Sequence, residues 1–267
     1  MTTGSLSSRV LVAVPGIALA VAAVALGGPL FALAVAVVAV LGLYELYSLT
    51  AAARPLRWAG YLGTLLVVEL AWASDDPERG ILAGLGIALG LVAVAALILA
   101  RRDDITTRMA TTLLGVVYLG LPLGILVALR DLPDGAGAVA NVLIGVWVFD
   151  TASYLGGRMW GRIPIAPRTS QKKTVEGALI GGAAGLLGVW VAGLYMDWIG
   201  GWESLMLGVA IPLAAFLGDL FESVLKRDAG AKDSGRLLLG HGGVLDRFDG
   251  LLFATVAAYF LTVWVVY

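Results

Sequence analysis

Two pairs of acidic side chains lie where apolar stretches end or begin. Asp219 and Glu222 are close to the end of one stretch. Asp246 and Asp249 precede the next. Each pair is spaced three residues apart, which places both carboxylates on one face of a helix. Because Mg²⁺ is usually held by one or two carboxylates together with phosphate oxygens of a substrate, this pattern predicts a site for a metal ion and a phosphorylated compound.

Basic side chains accompany both acidic pairs. Lys226 and Arg227 follow the first pair, Lys232 lies between the pairs, and Arg247 stands within the second. Since Lys and Arg form charge-assisted hydrogen bonds with phosphate, the mixture of acids and bases indicates a metal–nucleotide site. The alternative is a solvated loop crossed by salt bridges. The glycine-rich run 240–243 favours the site, because a plain loop beside an apolar stretch has no need of it.

A second polar cluster lies upstream. It begins with Asp150 inside an apolar stretch and continues with Ser170, Lys172, Lys173 and Thr174 just before another. Paired lysines and hydroxyl groups at the start of a predicted helix can cradle a polyphosphate, since charge, hydrogen bonding and the helix dipole act together. Such lysines also serve as topology signals or contact anionic lipids, so the cluster alone leaves both interpretations open.

The composition indicates which kind of protein positions these residues. The chain has 267 residues, of which 60% are apolar and only 14% charged, whereas about a quarter of a soluble domain is charged. Such a chain is neither a soluble globular protein nor a disordered one. The absence of cysteine excludes disulfides and thiolate metal sites, and a net charge of -1 gives no indication of a nucleic-acid partner.

Apolar stretches long enough to cross a bilayer recur along the whole chain. Because a transmembrane helix needs about 20 apolar residues, the sequence predicts an all-α polytopic integral membrane protein with about nine transmembrane helices. The predicted spans are 9–27, 30–49, 58–73, 80–100, 109–129, 137–156, 175–196, 203–222 and 250–267. We divide the chain into N-terminal transmembrane helices, with about five spans in 1–130, and a C-terminal catalytic transmembrane region in 131–267.

Positive charge is distributed unequally between the two sides of this arrangement. When the connections after the second, fourth, sixth and eighth spans share a side with the N-terminus, that side holds 16 of the 18 Lys and Arg residues. Only Arg79 and Arg130 lie on the other side. Since cytoplasmic loops carry the excess of Lys and Arg, we expect a cytoplasmic N-terminus, an extracytoplasmic C-terminus, and cytoplasmic loops at 157–174 and 223–249.

Two further acids stand alone inside predicted spans. Glu45 and Glu69 are each surrounded by apolar or aromatic residues. A carboxylate in mid-bilayer costs about 2.5 to 3.5 kcal/mol, so each of them needs a partner or a purpose. We expect an interhelical hydrogen bond, or a protonated acid near the membrane interface, rather than a functional site.

The region 223–249 resembles the signature of the phosphatidate cytidylyltransferase family, also called CDP-diacylglycerol synthases. The shared positions are Ser223, Lys226-Arg227, Lys232-Asp233, His241-Gly242-Gly243 and Asp246-Arg247-Phe248-Asp249. Upstream, the Asp150-x-x-Ser153-Tyr154 pattern and residues 170–177 are similar to the companion motifs of the family. Gln171 and Leu239 depart from the family pattern at positions where it usually has Pro or a small residue, and we expect them to affect loop geometry rather than the type of reaction.

The resemblance implies that CTP and phosphatidic acid react to give CDP-diacylglycerol and pyrophosphate. The lipid phosphate is already a nucleophile, so the enzyme holds two polyanions in line and neutralises charge on the α-phosphate and the leaving pyrophosphate. The implied cofactor is Mg²⁺, with a monovalent cation such as K⁺ as a further ion. The expected partners are CTP, phosphatidic acid and the lipid bilayer, and a homodimer is one assembly that the sequence leaves open. We expect a bacterial plasma membrane, with the active site facing the cytoplasm.

On this resemblance we assign roles to many of the polar residues in these motifs. We assign Asp219 and Asp246 as metal ligands, and Glu222 and Asp249 as outer ligands or a second cation site. The phosphate clamps are Lys172, Lys173, Lys226 and Arg227. His241 is the only histidine, and we assign it as a hydrogen-bond donor to phosphate rather than a base. The other substrate-binding residues are Ser170, Thr174, Ser223, Lys232 and Arg247.

Two other functions stay open at this point. A CTP-dependent kinase of polyprenol or another lipid would use the same nucleotide in the same membrane setting, but would transfer the γ-phosphate. A secondary transporter would use Asp150, Asp219 and Glu222 as ion-coupling acids. Transport predicts broken helices at the midplane and internal repeats, whereas the polar residues here crowd toward one side of the membrane, which disfavours transport.

Overall fold

The computed structural model describes residues 6–99, 104–167, 169–235, 237 and 242–267. Ten α-helices account for most of these residues. They are α1 (Leu6–Leu26), α2 (Gly28–Leu49), α3 (Arg57–Ala73), α4 (Pro77–Ile98), α5 (Ile105–Gly115), α6 (Leu121–Asp131), α7 (Gly135–Trp160), α8 (Val175–Gly193), α9 (Gly201–Asp228) and α10 (Leu245–Leu261). A π-helical segment, Val116–Gly120, joins α5 to α6, and another, Thr262–Val266, continues α10.

The structure confirms an α-helical, multi-pass membrane protein. Within the described residues, seven helical segments are long and apolar enough to cross a membrane. They are Gly28–Leu49, Pro77–Ile98, Ile105–Asp131, Gly135–Trp160, Val175–Gly193, Gly201–Asp228 and Leu245–Val266. The remaining two predicted spans coincide with α1 and with the 17-residue α3. At about 1.5 Å per residue, α3 extends about 26 Å, which is shorter than the hydrocarbon core of about 30 Å.

Local sequence signals explain where several helices begin. Proline occupies the first turn of α2 and of α4, where its missing N–H costs nothing. The Asp76 carboxylate accepts a hydrogen bond from the Arg79 backbone N–H at 3.2 Å and caps α4. The Thr174 hydroxyl does the same for α8, accepting from the Gly177 N–H at 3.2 Å.

A short antiparallel hairpin interrupts the helices between α7 and α8. Its strands are β1 (Pro164–Ala166) and β2 (Ser170–Thr174), with Pro164 opposite Thr174 and Ala166 opposite Ser170. Nothing in the sequence pattern predicts these short strands. Since β2 ends where α8 begins, the hairpin delivers the Lys172-Lys173 pair to the N-terminus of that helix.

The chain divides into two compact units. The first contains residues 1–131 and 231–247, and the second contains residues 132–230 and 248–267. The first unit therefore holds α1 to α6 together with the connection that leads into α10. The second unit holds α7 to α9, the hairpin and most of α10.

Small residues allow close helix packing inside each unit. In the first unit α3 contacts α2, α4 and α6, and a Cβ at Gly84 would lie 2.6 Å from the Val67 Cα. In the second unit α8 contacts α7 and α9, and a Cβ at Gly177 would lie 2.8 Å from the Ser153 carbonyl oxygen. Gly84 and Gly177 thus serve helix packing.

Candidate active site

Three carboxylates of the second unit converge where α9 meets α10. Carboxylate oxygens of Asp219, Glu222 and Asp249 lie within 4.8 Å of one another. Glu222 is buried, and the other two are partly buried. Such a group of oxygen ligands could hold a hard metal ion.

A glycine beside the cluster makes this convergence possible. The position that a Cβ of Gly218 would take is already filled by the backbone carbonyl of Asp249, and the Gly250 Cα lies 3.2 Å away from it. Helices α9 and α10 therefore touch through their backbones next to Asp219 and Asp249. Any side chain at position 218 would push the two acid-bearing helices apart.

Lysine side chains form ion pairs with two of the three carboxylates. The Lys173 ammonium lies 2.6 Å from an Asp219 carboxylate oxygen. It also donates to the Asp219 backbone carbonyl at 2.8 Å and to the Ser223 hydroxyl at 3.0 Å. Lys226 forms an ion pair with Glu222 one helical turn before it. Two carboxylates of the cluster, those of Asp219 and Glu222, are thus each paired with a lysine.

The hairpin explains which of the paired lysines reaches the cluster. Successive residues of a strand point to opposite faces. On β2, Lys172 is exposed, whereas Lys173 is partly buried and contacts Asp219 and Ser223. The Arg227 guanidinium donates to the Thr169 carbonyl at 2.9 Å and so connects the end of α9 to the hairpin.

Thr174 and Glu176, near the hairpin, form hydrogen bonds with backbone N–H groups. Thr174 caps α8 through its hydroxyl. One Glu176 carboxylate oxygen accepts from the backbone N–H groups of Arg162 and Ile163 at 3.0 and 3.2 Å. Ser170 is partly buried on β2, and Asp150 is exposed on α7.

In the first unit, polar groups gather around Asp246. Both Asp246 carboxylate oxygens accept from the Ser234 N–H, at 3.2 and 3.1 Å, and one also accepts from the Gly243 N–H at 2.7 Å. Gly242 adopts a left-handed backbone with φ of 81°. Lys232 and Arg247 are exposed in the same segment.

Glu45 on α2 belongs to this group. Its carboxylate accepts from the N–H groups of Val244 and Leu245 at 3.0 and 2.8 Å, and from the Ser234 hydroxyl at 3.1 Å. The sequence predicts an interhelical hydrogen bond or a protonated acid at Glu45. The bond from Leu245, the first residue of α10, is an interhelical hydrogen bond of the predicted kind. Val244 and Ser234 are two further partners of Glu45, and the sequence gives no indication of a role for Ser234.

The two units therefore account for different parts of the predicted site. Five predicted site residues surround Asp219 in the second unit, namely Glu222, Asp249, Lys173, Lys226 and Ser223. Asp246, Lys232 and Arg247 belong to the first unit. The predicted phosphate donor His241, and Leu239, lie outside the described residues.

Comparison with known proteins gives a family match over almost the whole chain. The model of the cytidylyltransferase family matches residues 7–265. A phosphatidate cytidylyltransferase of Synechocystis sp. is 32% identical over 290 aligned residues, which cover 96% of each chain. Another, from Brucella suis biovar 1, is 37% identical over 79% of this chain and 74% of its own. A third, from Helicobacter pylori strain 26695, is 44% identical over 49% of this chain and 50% of its own.

Proposed function

This chain belongs to the cytidylyltransferase family, and from that membership we propose that it is a phosphatidate cytidylyltransferase. A phosphate oxygen of phosphatidic acid attacks the α-phosphorus of CTP. The bond between that phosphorus and the bridging oxygen to the β-phosphate breaks, so CDP-diacylglycerol forms and pyrophosphate leaves. The observation that carries this proposal is the family match over residues 7–265, together with relatives that bear this name.

The reaction needs positioning and charge neutralisation more than a strong base. Phosphatidic acid already carries an anionic oxygen, and both substrates repel each other. An enzyme accelerates such a transfer by holding the reacting atoms in line and by placing positive charge where negative charge develops. The acidic and basic clusters of this chain are suited to those two tasks.

Asp219, Glu222 and Asp249 are the residues that we propose to hold Mg²⁺. Their oxygens lie within 4.8 Å of one another, and carboxylate oxygen is the ligand that Mg²⁺ prefers. Asp246 remains a proposed further ligand, and a monovalent ion such as K⁺ a proposed second cation. When bound, Mg²⁺ supplies positive charge that neutralises the phosphate oxygens of the nucleotide.

The basic residues are proposed to bind the phosphates of the two substrates. Lys173 and Lys226 lie against the acidic cluster and can contact a phosphate bound beside it. Arg227, Lys172, Lys232 and Arg247 supply additional charge. Hydrogen bonds to the substrates come from Ser170, Thr174, Ser223 and His241.

We also propose how the protein lies in its membrane. Nine spans, with the N-terminus in the cytoplasm, put 16 of the 18 basic residues on the cytoplasmic side. The active site then faces the cytoplasm of a bacterial cell, where CTP is available.

An assay of the purified protein tests the proposed function. We expect CDP-diacylglycerol to form in detergent micelles that contain phosphatidic acid, CTP and Mg²⁺, with the product identified by mass spectrometry. Omitting either substrate, or adding a chelator of divalent cations, removes the product. Failure of the folded protein to form CDP-diacylglycerol in the complete mixture contradicts the proposal.

A further inference from the structure

The structure assigns Glu45 as a positioning residue for cytidylyl transfer, acting on the segment 242–247, which carries Asp246. This inference rests on the proposed function, and it concerns a residue outside the signature at 223–249. Glu45 lies on α2, nearly two hundred residues from that segment in sequence, yet the two meet within the first unit.

The Glu45 carboxylate is an acceptor for three donors. One oxygen accepts from the Val244 N–H, and the other accepts from the Leu245 N–H and from the Ser234 hydroxyl. Leu245 is the first residue of α10, so two of these donors belong to the start of that helix. Backbone N–H groups at a helix start lack partners inside the helix and favour a negative group. Glu45 therefore fixes where α10 begins.

Ser234 links Glu45 to Asp246. Its hydroxyl donates to Glu45, accepts from the Asp246 N–H at 3.3 Å, and is buried together with the rest of the side chain. The Ser234 N–H donates in turn to the Asp246 carboxylate. A continuous chain of hydrogen bonds thus runs from a membrane helix to the side chain that we propose as a metal ligand.

Gly235 and Gly243 both pack directly against the Glu45 carboxylate. A side chain at Gly235 or at Gly243 would collide with its oxygens, and a side chain at Gly243 would also collide with the Ser234 hydroxyl. Glu45 itself is 1% exposed. A buried carboxylate is costly unless its partners are fixed, so these contacts hold Ser234, Val244 and Leu245 in place around it.

Glutamine cannot replace Glu45 in this arrangement. Its amide offers one acceptor oxygen and an NH₂ group, and all the partners of Glu45 donate. Whichever way the amide turns, its NH₂ group faces the N–H of either Val244 or Leu245. The substitution keeps the shape of the side chain and removes at least one hydrogen bond, so it changes the position of the segment more than the volume of the core.

The matched control is Glu69→Gln. Glu69 is a carboxylate on α3 of the same unit, and it makes no hydrogen bond or ion pair with any residue that the structure describes. Ser234→Ala is the second test variant, because it removes only the hydroxyl that connects Glu45 to Asp246.

The experiment measures CDP-diacylglycerol formation against free Mg²⁺ concentration, and hydrogen–deuterium exchange of peptides covering 242–247, in all variants. For Glu45→Gln we expect turnover to fall by about tenfold to a hundredfold, as for other partners that orient metal ligands. The half-saturating Mg²⁺ concentration rises several-fold, and exchange at 242–247 accelerates. Ser234→Ala shows the same changes in smaller measure, the double variant is no worse than Glu45→Gln, and Glu69→Gln matches the wild type.

If Glu45 had a purely structural role, Glu45→Gln would lower the amount of folded protein and the maximal rate. The half-saturating Mg²⁺ concentration would then stay unchanged, and an unchanged value overturns the inference. Unchanged exchange at 242–247 in Glu45→Gln also overturns it. If Glu45→Gln does not fold, Ser234→Ala decides: wild-type Mg²⁺ dependence in that variant overturns the inference. An inactive wild-type protein would instead contradict the proposed function, while the exchange measurement still tests the role of Glu45.

Discussion

At the scale of single residues, the acidic cluster is held together by lysines. Three carboxylates so close together repel one another, and Lys173 and Lys226 offset that repulsion by pairing with Asp219 and Glu222. Both lysines are partly buried, so their charges are less screened by solvent than those of a surface pair. The same ammonium groups flank the place where we propose that a substrate phosphate binds.

Asp219→Asn tests the proposed metal ligand. We expect turnover to fall by at least about a hundredfold, because the loss of an anionic ligand weakens charge neutralisation at the phosphates by several kcal/mol. Asp246→Asn is expected to behave in the same way. The measurement is the rate of CDP-diacylglycerol formation by protein with an unchanged melting temperature.

Asp197→Asn is the control for this substitution, since Asp197 is an exposed acid between α8 and α9. It should retain wild-type turnover. Near-wild-type activity in Asp219→Asn would show that the cluster does not hold the catalytic ion.

The lysine pair gives a second prediction at this scale. Lys173 contacts Asp219 and Ser223, whereas Lys172 is exposed on the opposite face of β2. A charge-assisted contact contributes about 1.5 to 3 kcal/mol, so Lys173→Ala should lower kcat/KM for CTP by about tenfold to a hundredfold. Lys172→Ala should have a smaller effect in the same steady-state measurement. A larger loss in Lys172→Ala would contradict the assignment.

At the scale of elements, the contact between α9 and α10 determines the cluster geometry. Asp249 and Asp219 belong to different helices, and they approach because Gly218 allows the backbones to touch. Inserting even a methyl group into such a contact typically costs about 1 to 3 kcal/mol. The spacing of the acids thus depends on one small residue.

Gly218→Ala is therefore expected to lower both activity and melting temperature, because the added Cβ collides with the Asp249 carbonyl. The measurements are turnover and thermal unfolding in detergent. Gly182→Ala on α8 is the matched control, since no described atom outside the local backbone of α8 lies within 4 Å of the position that its Cβ would take. Equal behaviour of the two variants would show that the α9–α10 contact does not position the acids.

Sequence periodicity predicts some of these elements and misses others. Each apolar stretch contains a helix, because length and hydropathy are local properties. The three-residue spacing of Asp219 and Glu222 likewise specifies a shared helix face. The addition of Asp249 to that pair depends on helix packing, and the partners of Glu45 lie on a distant segment. Neither contact is encoded in local spacing. The convergence of Asp249 with Asp219 and Glu222 follows from the expectation that both acidic pairs serve one metal site, whereas nothing in the sequence indicates the partners of Glu45.

At the scale of the whole molecule, the distribution of basic residues predicts the orientation in the membrane. A reporter fused to the C-terminus should be extracytoplasmic, and one inserted in 223–249 should be cytoplasmic, because 16 of the 18 Lys and Arg residues then face the cytoplasm. Measuring on which side of the membrane each of the two reporters is active tests this orientation. Both reporters on the same side would contradict the nine-span arrangement.

The most direct test of the proposed reaction follows which phosphorus of CTP enters the lipid. Purified protein is incubated with Mg²⁺, phosphatidic acid and CTP labelled at either the α- or the γ-phosphate. Cytidylyl transfer predicts that the α-label appears in the lipid fraction and that the γ-label leaves as pyrophosphate. A γ-label in the lipid, with CDP released to water, would identify a kinase and contradict the account; no label in the lipid from either substrate would contradict it as well.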